Sequence, residues 1–279
     1  HSFPTRRSSD LARVLGSMFD AIERRGFSQK EVEELVNKLK NEKFEVLSVK
    51  NGERRKKPPL PFTTSTLQQE ASKRLNMSTQ KTMRLAQELY EGVNLKGKGS
   101  IGLITYLRTD STRISEEADA SCREYIAQQY GEQFVGDKTA VKSSKTGKIQ
   151  DAHEAIRPTD SSLSPAMLKE QLPRDLFRLY QLIWTRFLAS RMAEAVYETT
   201  SVKIGAGDYR FNVAASKVKF DGFMTVYSYD SEKSTMNAAM KKIKKDTEIT
   251  LSGLDPQQHF TQPPAHFTEA SLVKTLEEL

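Results

Sequence analysis

The sequence is poor in cysteine and has no long apolar run. Cys122 is the only cysteine among the 279 residues, so this chain cannot form an internal disulfide or a Cys-x-x-Cys zinc module. Because no activating base is evident near it, we interpret it as a packing residue. The apolar runs are a handful of residues long, far short of the roughly 20 that span a membrane. His1–Leu11 lacks the apolar segment of a signal peptide. We expect a protein of a reducing cytoplasm with no membrane partner.

Charge of one sign is in excess. Lys and Arg number 43 against 36 Asp and Glu, which gives a formal net charge of +7. Excess positive charge is compatible with nucleic-acid binding, although many basic proteins bind none. The lysine-rich stretch Asp137–Gln150 predicts a surface loop, with contact to a phosphate backbone as the alternative. The length suffices for two ordinary domains or one elaborate domain.

Capping residues and apolar stripes at a spacing of three and four predict several helices. Between Phe62 and Gly92 the pattern predicts two helices joined by a short turn, the first capped by Thr66 or Ser65. Such a pair resembles helix-turn-helix architecture, but an ordinary antiparallel helix pair has the same pattern. The other predicted helices begin at Ser28, run from Ser115 to Gly131, cover Leu172–Met192 and begin at Thr268.

Alternating apolar and polar residues predict strands elsewhere in the chain. Phe44–Val49 alternates and is followed by Asn51-Gly52, a dipeptide typical of hairpin turns. Gly205–Asp208 is predicted to turn the chain between two later strands. The remaining predicted strands are Leu103–Leu107, Thr199–Ile204, Tyr209–Ala214, Val218–Phe220, Phe223–Tyr227 and Glu248–Leu251. Helices and strands together predict an α+β fold.

The stretch Gly102–Ser115 carries chemistry that a buried strand does not need. If it is extended, alternation places Ile104, Tyr106, Arg108 and Asp110 on one face. A tyrosine hydroxyl, with an ordinary pKa of about 10, is a weak nucleophile unless its phenolate is favoured. The Arg108 guanidinium could favour the phenolate or steady negative charge on an attacked phosphate. The structural alternative is a half-buried tyrosine whose hydroxyl is satisfied.

A second stretch, Asp151–Thr159, brings a histidine and an arginine close in sequence. His153 and Arg157 are four residues apart and could share one face of a helix. A lone histidine is more often structural than catalytic. Near a phosphate, a histidine can donate to an oxygen, tune a neighbouring phenol or return a proton to a leaving hydroxyl. The sequence is compatible with all three roles.

Both stretches resemble the signatures of the type IA DNA topoisomerases, the bacterial topoisomerase I family. Gly-Leu-Ile-Thr-Tyr-Leu-Arg-Thr-Asp-Ser, beginning at Gly102, is similar to the strand that carries the family's active-site tyrosine, and Asp151–Thr159 is similar to its second signature. The resemblance implies that Tyr106 forms a 5′-phosphotyrosyl bond with DNA and that Arg108 assists at the scissile phosphate. It also implies that His153 lies close to the tyrosine and to the DNA phosphate. We therefore expect His153 within about 8 Å of Tyr106, a distance that one bridging phosphate can span. The implied DNA contacts are Thr109, Asp110, Ser111 and Arg157, the last with a structural role as its alternative.

The resemblance extends over residues 12–279 and implies a domain organisation. Residues 12–61 and 195–262 are expected to form a β-rich arch, with a mainly helical active-site tyrosine domain, residues 62–194, inserted between them. Residues 263–279 are expected to begin a gate domain, while residues 1–11 look like translated adaptor sequence. The chain is therefore expected to be the central part of a longer enzyme, without its N-terminal metal (Toprim) domain and C-terminal zinc modules.

The implied function is that of an ATP-independent type I DNA topoisomerase, an isomerase. Such an enzyme cleaves one DNA strand transiently, passes a strand and rejoins the break to relax negative supercoils. Single-stranded or negatively supercoiled DNA is the implied partner, and a monomeric, nucleoid-associated protein is expected. Mg²⁺ is expected for the full enzyme. No acidic cluster for it is found in this sequence, so no metal ligand is assigned and the chain alone is expected to be inactive.

Two other classes of DNA-binding protein are alternatives. Tyrosine recombinases and type IB topoisomerases place their tyrosine after an Arg…His-x-x-Arg set. Here Tyr106 precedes His153 and the spacing to Arg157 is His-x-x-x-Arg, which disfavours both. A non-catalytic helix-turn-helix module would explain the charge and the helix pair. It would not explain why Tyr106 and Arg108 share one face.

Overall fold

A computed structural model of the chain describes residues 29–137, 153–228, 243–254 and 266–278. They form two compact units. The first draws its described residues from His1–Arg55, Val196–Phe220 and Ser231–Pro263, and the second from Lys56–Ala195, Asp221–Asp230 and Pro264–Leu279. The mixture of helices and sheet confirms the predicted α+β class. The assignment of segments to an arch, a tyrosine domain and a gate domain stays a prediction.

A four-stranded sheet forms the first unit, preceded by helix α1, Gln29–Lys40. Its strands are β1 (Phe44–Lys56), β4 (Ala195–Ala206), β5 (Tyr209–Phe220) and β6 (Glu248–Ile249), in the order β5-β4-β1-β6. β4 and β5 pair antiparallel as far as Ala206 and Tyr209, which confirms the predicted hairpin turn. Gly207 has a φ of +54° in that turn, a conformation that glycine adopts without steric cost. β5 is one strand where the pattern predicted two.

One face of this sheet is buried, as a period of two requires. The core residues are Phe44, Val46, Val202, Ile204, Ala206, Val213 and Ala215, joined by Leu39 and Ile243. The turn predicted at Asn51-Gly52 is wrong, because β1 continues through both residues. On the neighbouring strand, Thr200 donates its hydroxyl to the side-chain carbonyl of Asn51 at 2.9 Å. Pairing along the sheet overrides the local preference for a turn.

Helices dominate the second unit. They are α2 (Thr64–Leu75), α3 (Thr79–Glu91), α4 (Glu116–Tyr130), the short α5 (Pro165–Leu168), α6 (Arg174–Ala189) and α7 (Glu269–Glu278). A small hairpin of β2 (Val93–Leu95) and β3 (Gly99–Ile101) follows α3. The predicted helix pair is confirmed by α2 and α3, which pack against each other and against α6.

The helix caps explain where these helices begin. α2 is capped by Thr63 and not by Ser65 or Thr66, the predicted residues. The Thr63 hydroxyl accepts from the backbone N–H of Thr66 at 3.3 Å, and the Thr66 hydroxyl accepts from the N–H of Thr63 at 2.9 Å. Thr66 is therefore the second half of a capping box. The predicted caps at Ser115 and Thr268 are confirmed, because each accepts from the backbone N–H three residues on.

The core of the second unit is built on α6. This helix begins after Pro173, so it is shorter than the predicted Leu172–Met192. Trp184 is 5 % exposed and donates its indole N–H to the Ser161 carbonyl at 3.0 Å, which confirms it as a packing anchor. The strand predicted at Phe223–Tyr227 is wrong. A 3₁₀ turn covers Gly222–Thr225, so that Phe223 and Tyr227 are buried together at a helical spacing.

Several predictions fall outside the described residues. They concern the cap at Ser28, residues 1–11, and the lysines between 138 and 150. Across the part of the chain that the structure describes, no helix has the length and apolarity to cross a membrane.

Candidate active site

The tyrosine segment is not a regular strand, and its chain bends at Thr105, Leu107 and Arg108. Within the predicted strand Leu103–Leu107 the structure has a single bridge, from Ile104 to Pro158. Ile104 is 1 % exposed, so the prediction that it shares a face with Tyr106 is wrong. Alternation holds from Tyr106 onward, where Tyr106, Arg108 and Asp110 are exposed while Leu107 is buried. A phenol, a guanidinium and a carboxylate therefore face solvent in a row.

The first residue of α2 fixes one side of this segment. The Thr64 backbone N–H donates to the Thr109 carbonyl at 2.9 Å. Its hydroxyl donates to the Leu107 carbonyl at 2.8 Å and accepts from the Thr109 N–H at 2.9 Å. A helix N-terminus has unpaired N–H groups, and here they hold neighbouring main chain. The backbone on both sides of Arg108 is thereby fixed.

The stretch that contains His153 fixes the other side. The Thr105 N–H donates to the Arg157 carbonyl at 2.9 Å, and the Thr105 hydroxyl donates to the Ala155 carbonyl at 2.8 Å. The same hydroxyl accepts from the Arg157 N–H at 3.0 Å. Residues 153–159 are thus extended, and the prediction that His153 and Arg157 share a helical face is wrong.

Helix α3 supports the segment from its C-terminal end. The Leu103 N–H donates to the Leu89 carbonyl at 2.7 Å, one of the carbonyls that a helix end leaves unpaired. Gly102 permits this approach, because a Cβ added there would lie 2.7 Å from the Tyr90 carbonyl oxygen. The close contact brings Tyr90 alongside the tyrosine segment.

The contacts bring three rings together. The centroids of the Tyr106 and His153 rings are 6.2 Å apart, with an angle of 29° between their planes. The predicted proximity of these residues is confirmed. Tyr90 meets Tyr106 edge to face, with centroids 5.5 Å apart and planes at 68°. Tyr90 and Tyr106 are 39 % and 43 % exposed. Sequence reasoning missed Tyr90 as a site residue, because its position on an apolar helical stripe is typical of packing.

Arg157 is engaged within the protein. Its Nε and Nη2 donate to the Glu154 carboxylate at 2.9 and 2.7 Å, and its Nη1 donates to the Pro158 carbonyl at 3.0 Å. Burial of Glu154 opposes its ionisation, but the hydrogen bonds and charge of Arg157, with hydrogen bonds from Ser115, outweigh burial and lower its pKa. Glu154 thereby links the His153 stretch to the N-terminus of α4. This arrangement favours the structural alternative for Arg157.

The residues that follow Arg108 differ in what they can offer DNA. Thr109 is 7 % exposed, and its hydroxyl accepts from the Ser111 N–H at 3.1 Å. A direct DNA contact by Thr109 therefore disagrees with its placement. The Ser111 hydroxyl accepts from the Arg113 N–H at 3.2 Å and is half-buried. Asp110 is exposed, and it is an acceptor when ionised.

Magnesium does not fit the residues described. Mg²⁺ binds oxygen ligands in octahedral geometry, commonly one or two carboxylates with phosphates and water. In the described ranges, no three His, Cys, Asp or Glu side chains gather where they could hold a metal ion. The chemistry of Tyr106 and its neighbours is therefore derived from the side chains alone.

Comparison with known proteins agrees with the two signatures. Residues 12–279 match the profile of a family described as DNA topoisomerase. The chain belongs to the bacterial type IA DNA topoisomerases, a family of isomerases. It is similar to full-length topoisomerase I from Thermotoga maritima, with 36 % sequence identity, a TM-score of 0.76 and 93 % of this chain covered. The match covers 41 % of that enzyme, so the chain spans less than half of its length.

Proposed function

We propose that this chain carries the DNA-cleaving tyrosine of a type IA topoisomerase, and that Tyr106 is the nucleophile. The main support is that the Tyr106 phenol is exposed, sits on a backbone fixed by hydrogen bonds and has its ring centroid 6.2 Å from that of His153. The Tyr106 phenol gives up its proton to solvent as its oxygen attacks a DNA phosphodiester, the bond from phosphorus to the 3′ oxygen breaks, and that oxygen takes a proton. Attack by the 3′ hydroxyl on the phosphotyrosyl bond reverses the step and restores the phenol.

Arg108 supplies charge at the phosphate. It is two residues from Tyr106, and both side chains are exposed while that of Leu107 between them is buried. Its guanidinium matches the geometry of a phosphate and is always protonated. As negative charge builds on the attacked phosphate, a donor held in place stabilises the transition state more than the ground state.

His153 is proposed to serve the phosphate that Tyr106 attacks. The centroids of the two rings are 6.2 Å apart, so a phosphate at the Tyr106 hydroxyl would be within reach of the imidazole. We assign to His153 donation to a phosphate oxygen or to the departing 3′ oxygen. General acid catalysis of this kind contributes about 10²–10⁴-fold to rate.

The remaining motif residues divide into DNA contacts and positioning residues. Asp110 is exposed and Ser111 is half-buried, both shortly after Arg108 in the chain, and we assign them to DNA contact. Thr109 and Arg157 hold the backbone of the site through internal hydrogen bonds. Thr109 positions Ser111, and Arg157 positions the His153 stretch.

The whole enzyme is proposed to relax negatively supercoiled DNA as a monomer in the bacterial cytoplasm, at the nucleoid. The net charge of +7 supports a polyanionic partner. Magnesium would serve strand rejoining there, through ligands that the described residues do not supply.

A chimeric enzyme tests this function directly. Residues 12–279 replace the matching part of the Thermotoga maritima topoisomerase I, and the product is incubated with a single-stranded oligonucleotide and stopped with detergent. Because the new bond joins Tyr106 to a 5′ phosphate, a 3′-end label should remain on the protein and a 5′-end label should be released. Arg108→Ala should lower the yield about 10²–10³-fold, the cost of one lost donor to a developing oxyanion.

Tyrosine variants separate catalysis from binding. Tyr106→Phe should abolish the adduct while single-stranded DNA still binds, and Tyr209→Phe, at the hairpin of the first unit, should leave it intact. Adduct formation by Tyr106→Phe would overturn the assignment. Binding without any adduct, in a chimera that is folded by circular dichroism, would favour the non-catalytic DNA-binding alternative.

A further inference from the structure

Tyr90 contacts the proposed nucleophile through an exposed ring. It lies in the last turn of α3, and its ring meets Tyr106 edge to face at 5.5 Å between centroids. Edge-to-face pairs at 4.5–7 Å are favourable, because the positive edge of one ring faces the negative face of the other. Tyr90 is 39 % exposed, so its ring is not simply part of the core.

The Tyr106 side chain needs such a support. Hydrogen bonds through Thr105 and Thr64 fix the backbone on either side of it, but they do not set its side-chain torsions. A ring that is 43 % exposed is held less firmly by packing than a buried one. Its aromatic neighbours include His153, nearly parallel to it, and Tyr90, edge to face with it. Two rings at different angles restrict both the rotation and the tilt of Tyr106.

We propose that Tyr90 is a positioning residue that holds the phenol of Tyr106 in the orientation for attack on the phosphate. This role rests on the proposed function of Tyr106. In this role Tyr90 acts through the Tyr106 side chain and needs no contact with DNA or the reacting atoms. The contact is between the two rings, so we assign the selection of the Tyr106 rotamer to the ring of Tyr90 and not to its hydroxyl. Small misplacements of a reacting group cost rate steeply, so the effect appears in the cleavage step.

The local backbone is built to keep the pair together. Gly102 leaves room for the Tyr90 carbonyl, which a Cβ would approach to 2.7 Å. Leu103 then hydrogen-bonds the Leu89 carbonyl at 2.7 Å, and Thr159 donates to the Gly102 carbonyl at 2.8 Å. The C-terminal turn of α3 and the tyrosine segment are therefore held in register by main-chain contacts. Tyr90 is thereby placed at a fixed distance from Tyr106.

Two variants of Tyr90 and one matched control test the proposal. Tyr90→Phe keeps the ring and Tyr90→Leu removes it. Tyr130→Leu is the control, because Tyr130 also ends a helix and pairs with an aromatic ring, Phe134, at 6.3 Å. The first measurement uses the 279-residue chain with ¹³C-labelled tyrosine. The ring resonance of Tyr106, assigned by its loss in Tyr106→Phe, reports its orientation. The second is the rate of adduct formation in the chimera, with the Kd for the oligonucleotide measured alongside.

We expect Tyr90→Leu to shift the Tyr106 resonance and slow cleavage about threefold to tenfold, with Kd unchanged. Tyr90→Phe and Tyr130→Leu should keep the wild-type rate. An unmoved resonance in Tyr90→Leu overturns the proposal, and so does a raised Kd with an unchanged rate, which would make Tyr90 a DNA contact. If the chimera and its variants form no adduct but Tyr90→Leu still shifts the Tyr106 resonance, the proposed function of Tyr106 is wrong. The contact by which Tyr90 orients the Tyr106 ring would still be supported.

Discussion

Replacing Glu154 by glutamine should weaken the unit that contains the candidate site. Glu154 accepts two hydrogen bonds from Arg157, whose side chain is 13 % exposed, while its own is 20 % exposed. Breaking a fully buried pair costs about 3–5 kcal/mol, and one charge-assisted hydrogen bond is worth about 1.5–3 kcal/mol. Glutamine keeps the shape and one acceptor, and the pair is not wholly buried. We therefore expect Glu154→Gln to lower the free energy of unfolding by about 2 kcal/mol.

The only tryptophan makes this measurable. Trp184 lies in α6 of the same unit and is 5 % exposed, so its fluorescence should report that unit's unfolding in urea. Asp175→Asn is the matched control in the same unit. Asp175 pairs with Lys81 at 2.5 Å, but both side chains are well exposed, and exposed pairs contribute little. Glu154→Gln should shift the urea midpoint much further than Asp175→Asn does.

The pH dependence gives the sharper test. The pKa of Glu154 is lowered in the folded protein, where hydrogen bonds from Arg157 and Ser115 outweigh the effect of burial. Its contribution to stability is therefore complete above its unfolded pKa, about 4.3, and is lost as pH falls through the lower folded value. The difference between wild type and Glu154→Gln should shrink over that acidic range. A shift no larger than that of Asp175→Asn, or a difference that grows on acidification, would refute the reasoning.

Three further outcomes are expected. Burial raises the pKa of the Cys122 thiol to about 12, so N-ethylmaleimide should leave the native protein unmodified and react only after denaturation, as judged by mass spectrometry. For single-stranded DNA, log Kd should rise by about 0.7 per phosphate contact for each decade of salt, and Arg108→Ala should reduce that slope by about one contact. Gly102→Ala should move the Tyr106 ring resonance, since its Cβ would lie 2.7 Å from the Tyr90 carbonyl, whereas Gly253→Ala, with open space around it and no positive φ, should not.

The exposure of the site's polar side chains could be predicted from sequence, but its backbone could not. The pattern places Tyr106, Arg108 and Asp110 together, and all three are exposed. Ile104 departs from that pattern because it bridges to Pro158, more than fifty residues later in the chain. The spacing of His153 and Arg157 suits a helix equally well. Hydrogen bonds from Thr105 to that stretch hold it extended, and no local signal announces them.

Elsewhere the misses have the same cause. Asn51-Gly52 is a strong local signal for a turn, yet β1 runs through it because a neighbouring strand is available to pair. At α2, a run of four hydroxyl-bearing residues offers several possible caps, and only the observed bonds single out Thr63. Ser115 caps its helix by accepting from a backbone N–H of that same helix, so the cap depends on local residues and could be predicted from the sequence.

Two threonine hydroxyls explain why the site can do without a sheet. An irregular segment leaves main-chain groups that a strand would pair with its neighbours, and buried unpaired groups are costly. The hydroxyls of Thr64 and Thr105 each donate to two carbonyls of neighbouring main chain and accept from one N–H, so each replaces a missing ladder partner. A side-chain hydroxyl can thus pair the main-chain groups of a single residue, and no neighbouring strand is needed there. The side chains of Tyr106 and Arg108 thus stay open to solvent, as their proposed role at a DNA phosphate requires, while the backbone that carries them is held in place.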